Sequence, residues 1–455
     1  MFTIIAALDI NRGISLDGRV PWYCPHDMKF FKELTHNHVV IMGRKTYESI
    51  PRGNSPMPDR INIVLSQSEF KDDGVLVMTM DQCVQYCTTS IQEFKNKRMF
   101  VIGGASIYQQ FMDKKLVRNM VISHVIQDFE CDQYFPSVRK KEWTMTSSQM
   151  LDGNPLVKVC GYSAINADEK KFIDAIAKIA SEGIVRPDRT GVGTVSVFSG
   201  HLRFSLRDGQ FPLMTHRNIN LRMIFEELMW ILRGQTDSKI LASKKVPIWN
   251  ANTTREFLDA RGLTHLKEGD IGAAYGFQLR YFGAKYTGCS SDYTGQGFDQ
   301  LQYVIDTLKN NPSSRRIMFS MWNPVDLEGM ALPPCAWSAQ FYVADGVLSC
   351  KLVQRSSDIA LAGGWNIAQY ALLTYLLANI CSLKPGDLIW TPGDTHIYLN
   401  QMAAANEITN RVPRPFPAIY VASPADGQIT GFEWDDITLK DYDPVMPQIK
   451  IPMNA

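Results

Sequence analysis

Between Ala331 and Asn366 the chain reads ALPPCAWSAQFYVADGVLSCKLVQRSSDIALAGGWN, an order of residues that few folds accommodate. Two runs of alternating apolar residues, Ala339 to Val343 and Val347 to Val353, predict a hairpin. Pro333 and Pro334 fix the backbone just before Cys335, and Arg355 follows the second run. Such a hairpin brings a guanidinium towards a thiol. A nearby cation favours the thiolate, which is the nucleophilic form of cysteine. Taken alone, a cysteine between apolar residues is a small core filler. Its neighbours argue for chemistry instead: the paired prolines before it, then Gln354-Arg355-Ser356 with Asp358, then Asn366.

At 455 residues the chain suits two or three domains, each able to bury its own core. Basic and acidic side chains number 47 and 46, so no global electrostatic footprint for nucleic acid or membrane exists, and any anion binding is local. The nine cysteines are scattered without a C-x-x-C pair, and Cys83 and Cys87 lack histidines at metal spacing. Neither a disulfide framework nor a metal site is signalled, and a reducing compartment fits. The first apolar run is too short for a secretory signal and no long apolar run follows, so the expectation is a cytoplasmic protein without membrane attachment.

Phe2 to Leu8 reads as a buried strand that enters a loop through Asp9, Asn11 and Gly13 and closes at Pro21-Trp22. After Pro25, the apolar residues Met28, Phe30, Phe31 and Leu34 recur at helical spacing, with Asp27 in the first turn. A carboxylate there serves simply as a helix-dipole partner. Held against Trp22, Phe30 and Phe31, it has a second use. Its charged form is disfavoured, which leaves an acid able to supply or relay a proton near neutral pH. Val39 to Met42 is the next strand, and Gly43-Arg44-Lys45-Thr46 after it combines backbone N–H groups with two cations at a strand-to-helix junction, an anion cradle. Ile61 to Leu65 follows Arg60. Met99 to Ile102 then runs into Gly103-Gly104-Ala105-Ser106 and a helix through Tyr108 and Phe111. Paired glycines allow close approach of a pyrophosphate, but this is not the G-x-G-x-x-G fingerprint, so a Rossmann dinucleotide domain is not indicated.

As a set these motifs resemble dihydrofolate reductase in order and spacing. They are Ala6-Ala7-Leu8, Pro21-Trp22 with Asp27 and Phe31, Met42 to Thr46, Asn62 to Ser66, and Ile102 to Tyr108, and they cover residues 1 to about 163. The resemblance implies that Asp27 hydrogen-bonds the pterin and assists protonation at N5. It implies that Phe31 and Ile50 flank the folate, and that Arg60 holds its glutamate carboxylate bidentately. NADPH would lie over Gly103 and Gly104 with Arg44, Lys45, Thr46 and Ser66 around its phosphates; Ala7, Gly43, Ser106 and Tyr108 complete that set. Two departures stand out. Ser15 occupies a place where the family often has glycine in a mobile loop, and Gln133 one where a threonine commonly bonds the catalytic carboxylate, a donor role that glutamine retains with longer reach.

The boundary is short. Residues 1–163 form the reductase-like domain, 164–167 a linker, and 168–455 the second domain. Asn166 with Glu169 three positions on predicts a capping box opening a helix whose apolar residues Phe172, Ile173, Ile176 and Ile179 recur until Gly183. No low-complexity stretch and no internal repeat is present.

The second region opens with Arg186-Pro187-Asp188-Arg189-Thr190-Gly191, where Arg189 sits in a loop before a strand; farther on, Ser314-Arg315-Arg316 precedes the strand Met318 to Trp322. Adjacent surface arginines usually just face solvent. With Arg189 and Arg355 they make a set of guanidiniums suited to a doubly charged phosphate. Together with Pro334-Cys335, Gln354-Arg355-Ser356, Asp358 and Asn366, these residues resemble thymidylate synthase over residues 168 to 455. That resemblance implies a homodimer in which Arg315 and Arg316 reach across to the partner's phosphate site. It also implies that Glu227, in the predicted helix Ile224 to Gly234, orders water at the pyrimidine carbonyl. Ile248, Trp249, Asp358, Leu361 and Trp365 would face the folate, and Tyr275 would assist removal of the C5 proton. His396 and Tyr398, in Pro392-Gly393-Asp394-Thr395-His396-Ile397-Tyr398, would hold the ribose hydroxyl.

The expected architecture is therefore α/β (α+β): a dihydrofolate reductase-like mixed sheet with flanking helices, then a thymidylate synthase-like α+β domain. The expected chemistry is addition of the Cys335 thiolate to C6 of dUMP, methylene transfer from 5,10-methylenetetrahydrofolate, and NADPH-dependent reduction of the dihydrofolate formed. Arg355 and Asp358 would act alongside Glu227 and Tyr275. Dihydrofolate, dUMP and NADPH are the implied ligands, with no metal and no nucleic acid. Asn366 would bond the O4 and N3 edge of uracil, whose donor and acceptor are inverted in cytosine. Ala336 replaces a histidine common after the nucleophile and Asn250 an aspartate after Trp249. Ala362-Gly363-Gly364-Trp365 replaces a Gly-x-Pro-Phe segment, the glycines adding flexibility and Trp365 a larger stacking face. Two other readings stay open: a related enzyme acting on dCMP, against which Asn366 argues, and an inactive half that serves as scaffold or RNA binder, against which Cys335, Arg355 and Asp27 argue.

Overall fold

A computed structural model describes residues 2–50, 55–68, 71–89, 94 and 96–454. The chain divides into two compact units, Met1–Asn166 and Ala167–Ala455.

The first unit is built on an eight-stranded sheet. Its order is Val75–Met78, Ile61–Leu65, Val39–Gly43, Met99–Gly103, Phe2–Leu8, Val117–Val125, Val157–Ala164 and Trp143–Leu151. The first six strands run parallel, and Val157–Ala164 pairs antiparallel with both Val117–Val125 and Trp143–Leu151. Parallel strands are covered on both faces, so they read as continuous apolar runs, as Val39 to Met42 does. Along Phe2–Leu8 the alternation is visible in the packing: Phe2, Ile4, Ala6 and Leu8 enter one cluster with Val39, Ile41 and Phe111, while Ile5 enters another with Val40, Met42 and Tyr47. Helix Pro25–Thr35, with proline in its first turn and Asp27 beside it, carries Phe31 and Leu34 onto the second cluster.

The second unit has a seven-stranded sheet ordered Ile184–Arg186, Thr194–Phe198, Lys384–Tyr398, Val347–Asp358, Ala336–Ala344 and Met318–Ser320, with Leu202–Ser205 also paired to Lys384–Tyr398. The predicted hairpin is present. Ala344 pairs Val347 across Asp345-Gly346, whose φ values of 50° and 72° are those of a tight I′ turn matched to strand twist. The strand Val347–Asp358 then crosses over through helix Gly364–Ile380 to the parallel strand Lys384–Tyr398. That helix is buried from Ile367 to Ala378, as a helix apolar on every side must be. The two parallel strands approach so closely at Gly393 that a Cβ there would lie 2.6 Å from the Arg355 carbonyl oxygen. Ligand sites in such sheets lie at the carboxyl ends of parallel strands. Here those ends hold Arg355, Ser356, Asp358, His396 and Tyr398, with Ser356 opposite Asp394 and Asp358 opposite His396.

The glycines of Ala362-Gly363-Gly364-Trp365 do not serve flexibility. Both are buried in helical backbone: a Cβ on Gly363 would meet the Phe172 ring at 3.3 Å, and one on Gly364 would meet Met214 at 2.9 Å and Ile219 at 3.2 Å. Their small size lets the crossover helix sit against those side chains. Gly364→Ala is expected to destabilise this unit by about 1–3 kcal/mol through overpacking, read as a lower urea midpoint of tryptophan fluorescence with an unchanged slope.

Candidate active sites

In the second unit, Cys335 stands just before the hairpin's first strand. The Arg355 backbone N–H donates to the Cys335 carbonyl at 2.9 Å, and the guanidinium donates to the Pro334 and Pro333 carbonyls at 3.0 and 2.9 Å. These contacts hold Nη2 at 3.7 Å from Cys335 Sγ. The thiol is partly exposed. On its other side the Cys335 N–H donates to the Tyr275 hydroxyl at 3.1 Å. Tyr275 has φ +39°, a conformation costly for a tyrosine, and burial pushes its hydroxyl well above the usual range. Backbone strain of this kind is carried only where the surroundings over-determine it.

Glu227, on helix Leu221–Leu232, is buried with its carboxylate inside a ring of donors. Trp249 Nε1 gives to Oε1 at 3.0 Å; Trp365 Nε1 and Gln369 Nε2 both give to Oε2 at 2.8 Å. Burial raises its proton affinity, and the three donors, Trp365 foremost, oppose that rise. Trp365 was expected as a stacking face alone; the structure adds an N–H bond that phenylalanine cannot make. Trp249 also packs edge-on against Tyr275, with ring centroids 5.4 Å apart, and Ile248 packs beside the same core.

Asn366 lies in the first turn of the crossover helix. Its Oδ1 accepts from Gln354 Nε2 at 3.0 Å, and Gln354 Oε1 accepts in turn from Trp390 Nε1. An indole only donates, so the polarity of this relay is set from the buried end. Asp358 is half-buried; desolvation raises its carboxyl, while Gln401, the Leu361 N–H, His396 and Arg217 oppose the rise. Its Oδ1 accepts from Leu361 N at 3.0 Å and its Oδ2 from Gln401 Nε2 at 2.8 Å. The same Gln401 amide donates to the Pro452 carbonyl. His396 Nδ1 lies 3.1 Å from Asp394 Oδ1, and its ring meets that of Tyr398 edge-on. Asp188, Arg189, Asp358 and Cys335 all act electrostatically on the Tyr398 hydroxyl, which burial raises, so the loop bearing Arg189 stands close to the same site. Arg189 also covers the Phe257 ring at 5.9 Å. Arg315 and Arg316 are exposed in the turn before Met318–Ser320.

In the first unit, Asp27 faces Ser123 on the strand Val117–Val125. Burial raises the Asp27 carboxyl and the Ser123 hydroxyl bond lowers it. This corrects the expectation for Gln133, which lies on a short exposed strand paired to Ser15. Ser123→Ala removes the opposing bond. The reductase pH profile is then expected to shift its midpoint upward, measured as turnover against pH; an unshifted midpoint would deny the contact. Phe31 and Ile50 flank one cluster beside Tyr47. Arg60 is braced by Thr35 Oγ1 at 2.9 Å and the Lys32 carbonyl at 2.8 Å.

Gly43 and Gly104 begin helices without side-chain caps, leaving backbone N–H groups for a ligand. Gly103 has φ +129°, and a Cβ on Gly104 would press on Thr46 Oγ1 at 3.2 Å, so this cradle excludes side chains and fits a pyrophosphate. Arg44 reaches Glu48 at 2.7 Å and Ser68 at 3.3 Å, and Ser66 bonds the Ser68 carbonyl at 2.9 Å. Lys45 and Ser106 are both exposed. Tyr108 is buried with its hydroxyl on the Ile5 carbonyl at 2.9 Å, and Ala7 is half-buried.

Sequence reasoning missed Ser123, Gln369, Gln401 and Arg217, and gave Gln354 no role of its own. Arg217 is half-buried, acts on Asp358 and donates to the Leu361 carbonyl. Gln369 was within reach of sequence reading, since it lies four residues after Trp365 and so on the same helical face.

Family comparisons agree with both halves. The thymidylate synthase family model matches residues 170–455 and the dihydrofolate reductase family model residues 1–157. The chain is 39% identical to a bifunctional dihydrofolate reductase-thymidylate synthase of Paramecium tetraurelia, covering 97% of this chain and 96% of that protein. It is 39% identical to one from Arabidopsis thaliana (97% and 87%) and 37% identical to one from Leishmania major (99% and 95%). With two catalytic units in one chain, matched end to end by such relatives, the chain belongs to the bifunctional dihydrofolate reductase-thymidylate synthase family.

Proposed function

We propose that the residues gathered in the two units run one cycle, in which the second unit makes dTMP from dUMP and the first restores the folate it oxidises. The convergence of Cys335, Arg355, Tyr275, Asn366 and the ringed Glu227 carries this reading. Cys335 Sγ bonds to C6 of dUMP, moving an electron pair onto C5 and the O4 enolate. Arg355 supplies positive charge opposite the sulfur and, with Arg189, Arg315, Arg316 and Ser356, binds the phosphate. C5 then bonds to the methylene of methylenetetrahydrofolate, and Tyr275 assists departure of the C5 proton. Asn366 reads the O4 and N3 edge, Glu227 orders water at O4, and His396 and Tyr398 hold the ribose. Tetrahydrofolate leaves, its hydride reduces the exocyclic methylene to methyl, and the sulfur departs. Asp358, Leu361, Trp249, Ile248 and Trp365 face the folate during these steps.

NADPH supplies hydride for the dihydrofolate that results. The Gly43 to Thr46 and Gly103 to Ser106 cradles, with Ser66, Ala7 and Tyr108, would hold it. Asp27 supplies the proton for N5, Phe31 and Ile50 enclose the pterin, and Arg60 fixes the glutamate tail. Given dUMP, methylenetetrahydrofolate and NADPH together, the purified chain is expected to oxidise one NADPH per dTMP formed, with no oxidation when dUMP is omitted. NADPH loss without dTMP would refute the cycle.

A homodimer through the second unit fits its outward sheet, where Tyr342 is 67% exposed and Phe198 86%. Chains carrying Cys335→Ala, mixed with chains carrying Arg315→Ala and Arg316→Ala, should regain dTMP synthesis if the arginines act across the interface, and should not if they act within one chain. The nine free cysteines suit a reducing compartment such as the cytoplasm, and among the described residues no helix is long and apolar enough to cross a membrane.

A further inference from the structure

The crossover helix Gly364–Ile380 does more at the synthase site than present Asn366. Trp365 and Gln369 lie four residues apart on it, one turn of the same face, and both direct N–H groups to a single carboxylate oxygen, Oε2 of Glu227, at 2.8 Å. Trp249 occupies the other oxygen at 3.0 Å. Indole and amide N–H groups have no acceptor to offer here, so they reward an unprotonated carboxylate and penalise a protonated one. We propose that Trp365 and Gln369 are positioning residues for methyl transfer, which clamp the Glu227 carboxylate in one orientation and favour its ionised form, from the same helix that places Asn366.

The inference rests on the reading of Glu227 given above. Among the described residues, the side chains bonded to Glu227 are Trp249, Trp365 and Gln369, none of them charged. The neighbouring Glu226 is turned to Lys244 Nζ at 2.6 Å. The titratable groups facing Glu227 are Tyr275 and Tyr370, and burial keeps both hydroxyls protonated across the working range. Trp365 is only partly buried whereas Gln369 and Trp249 are buried, so the clamp has one member at the ligand face and two behind it. A folate ring stacked on Trp365 would thereby fix the indole whose other edge holds the carboxylate.

The test uses the full chain labelled with carboxyl-¹³C glutamate, titrated by infrared difference spectroscopy, with the Glu227 band assigned by its loss in Glu227→Gln. In Trp365→Phe, which keeps an aromatic ring, and in Gln369→Met, which keeps length, the Glu227 midpoint is expected to move to higher pH. On the acid side of the profile, kcat/KM for dTMP formation is expected to fall about tenfold in each variant and to recover as pH is raised, because one lost charge-directed bond is worth roughly that factor. A Glu227 midpoint unchanged in both folded variants would overturn the inference. Separately, an acid limb that persists in Glu227→Gln would overturn the role given to Glu227 and leave the infrared result to judge the clamp.

Discussion

Cys335→Ala should abolish dTMP formation, lowering turnover by at least about 10⁴-fold, while dihydrofolate reduction by the first unit continues at its normal rate. The size follows from the role proposed for Cys335: without sulfur no bond would form at C6, and C5 would never become nucleophilic. Arg355, Tyr275 and Asn366, the proposed nucleotide contacts, are untouched by the change, so dUMP affinity should change far less than turnover. Treatment of the unaltered chain with 5-fluoro-dUMP and methylenetetrahydrofolate should leave a covalent adduct on residue 335, because fluorine cannot depart as a proton does. A mass spectrum placing the adduct elsewhere would reassign the nucleophile.

The second large effect concerns the other unit. Asp27→Asn should lower reductase turnover by about 10²–10⁴-fold at neutral pH. Burial raises the Asp27 carboxyl, so the proton is retained to higher pH than an exposed aspartate allows. In the unaltered chain activity is then full below that raised value and declines as pH climbs through it. The asparagine variant has no such proton, and its residual rate should track solution acidity, with the largest deficit at neutral and higher pH. A variant with the parental pH profile would exclude proton supply by Asp27.

Much of this arrangement was readable from one chain. The alternation flanking Cys335 and Arg355 specified a hairpin, and the hairpin places those side chains 3.7 Å apart. The apolar run before Gly103-Gly104 and the helix beyond it were equally plain, because strand, glycine and helix are consecutive in the chain. What stayed hidden were contacts between distant residues of ordinary type. Ser123 is one serine on a long strand, and only sheet order brings it to Asp27, far back in the chain. Gly363 and Gly364 look like a loose segment until Phe172, Met214 and Ile219 are seen against them. The indole of Trp365 was read for its face, and its N–H became informative only once Glu227 stood opposite.

The I′ turn at Asp345-Gly346 lies far along the strands from Cys335, yet it governs the surroundings of that residue through strand alignment. A side chain unable to adopt positive φ at residue 346 would favour a longer connection and slide one strand past the other by a residue. Because neighbouring positions on a strand face opposite ways, that slippage would aim Lys351, Val353 and Arg355 at the wrong side of the sheet and leave the thiol without its neighbouring guanidinium. Inactivating lesions in this enzyme can therefore arise at a solvent-facing bend that touches no ligand.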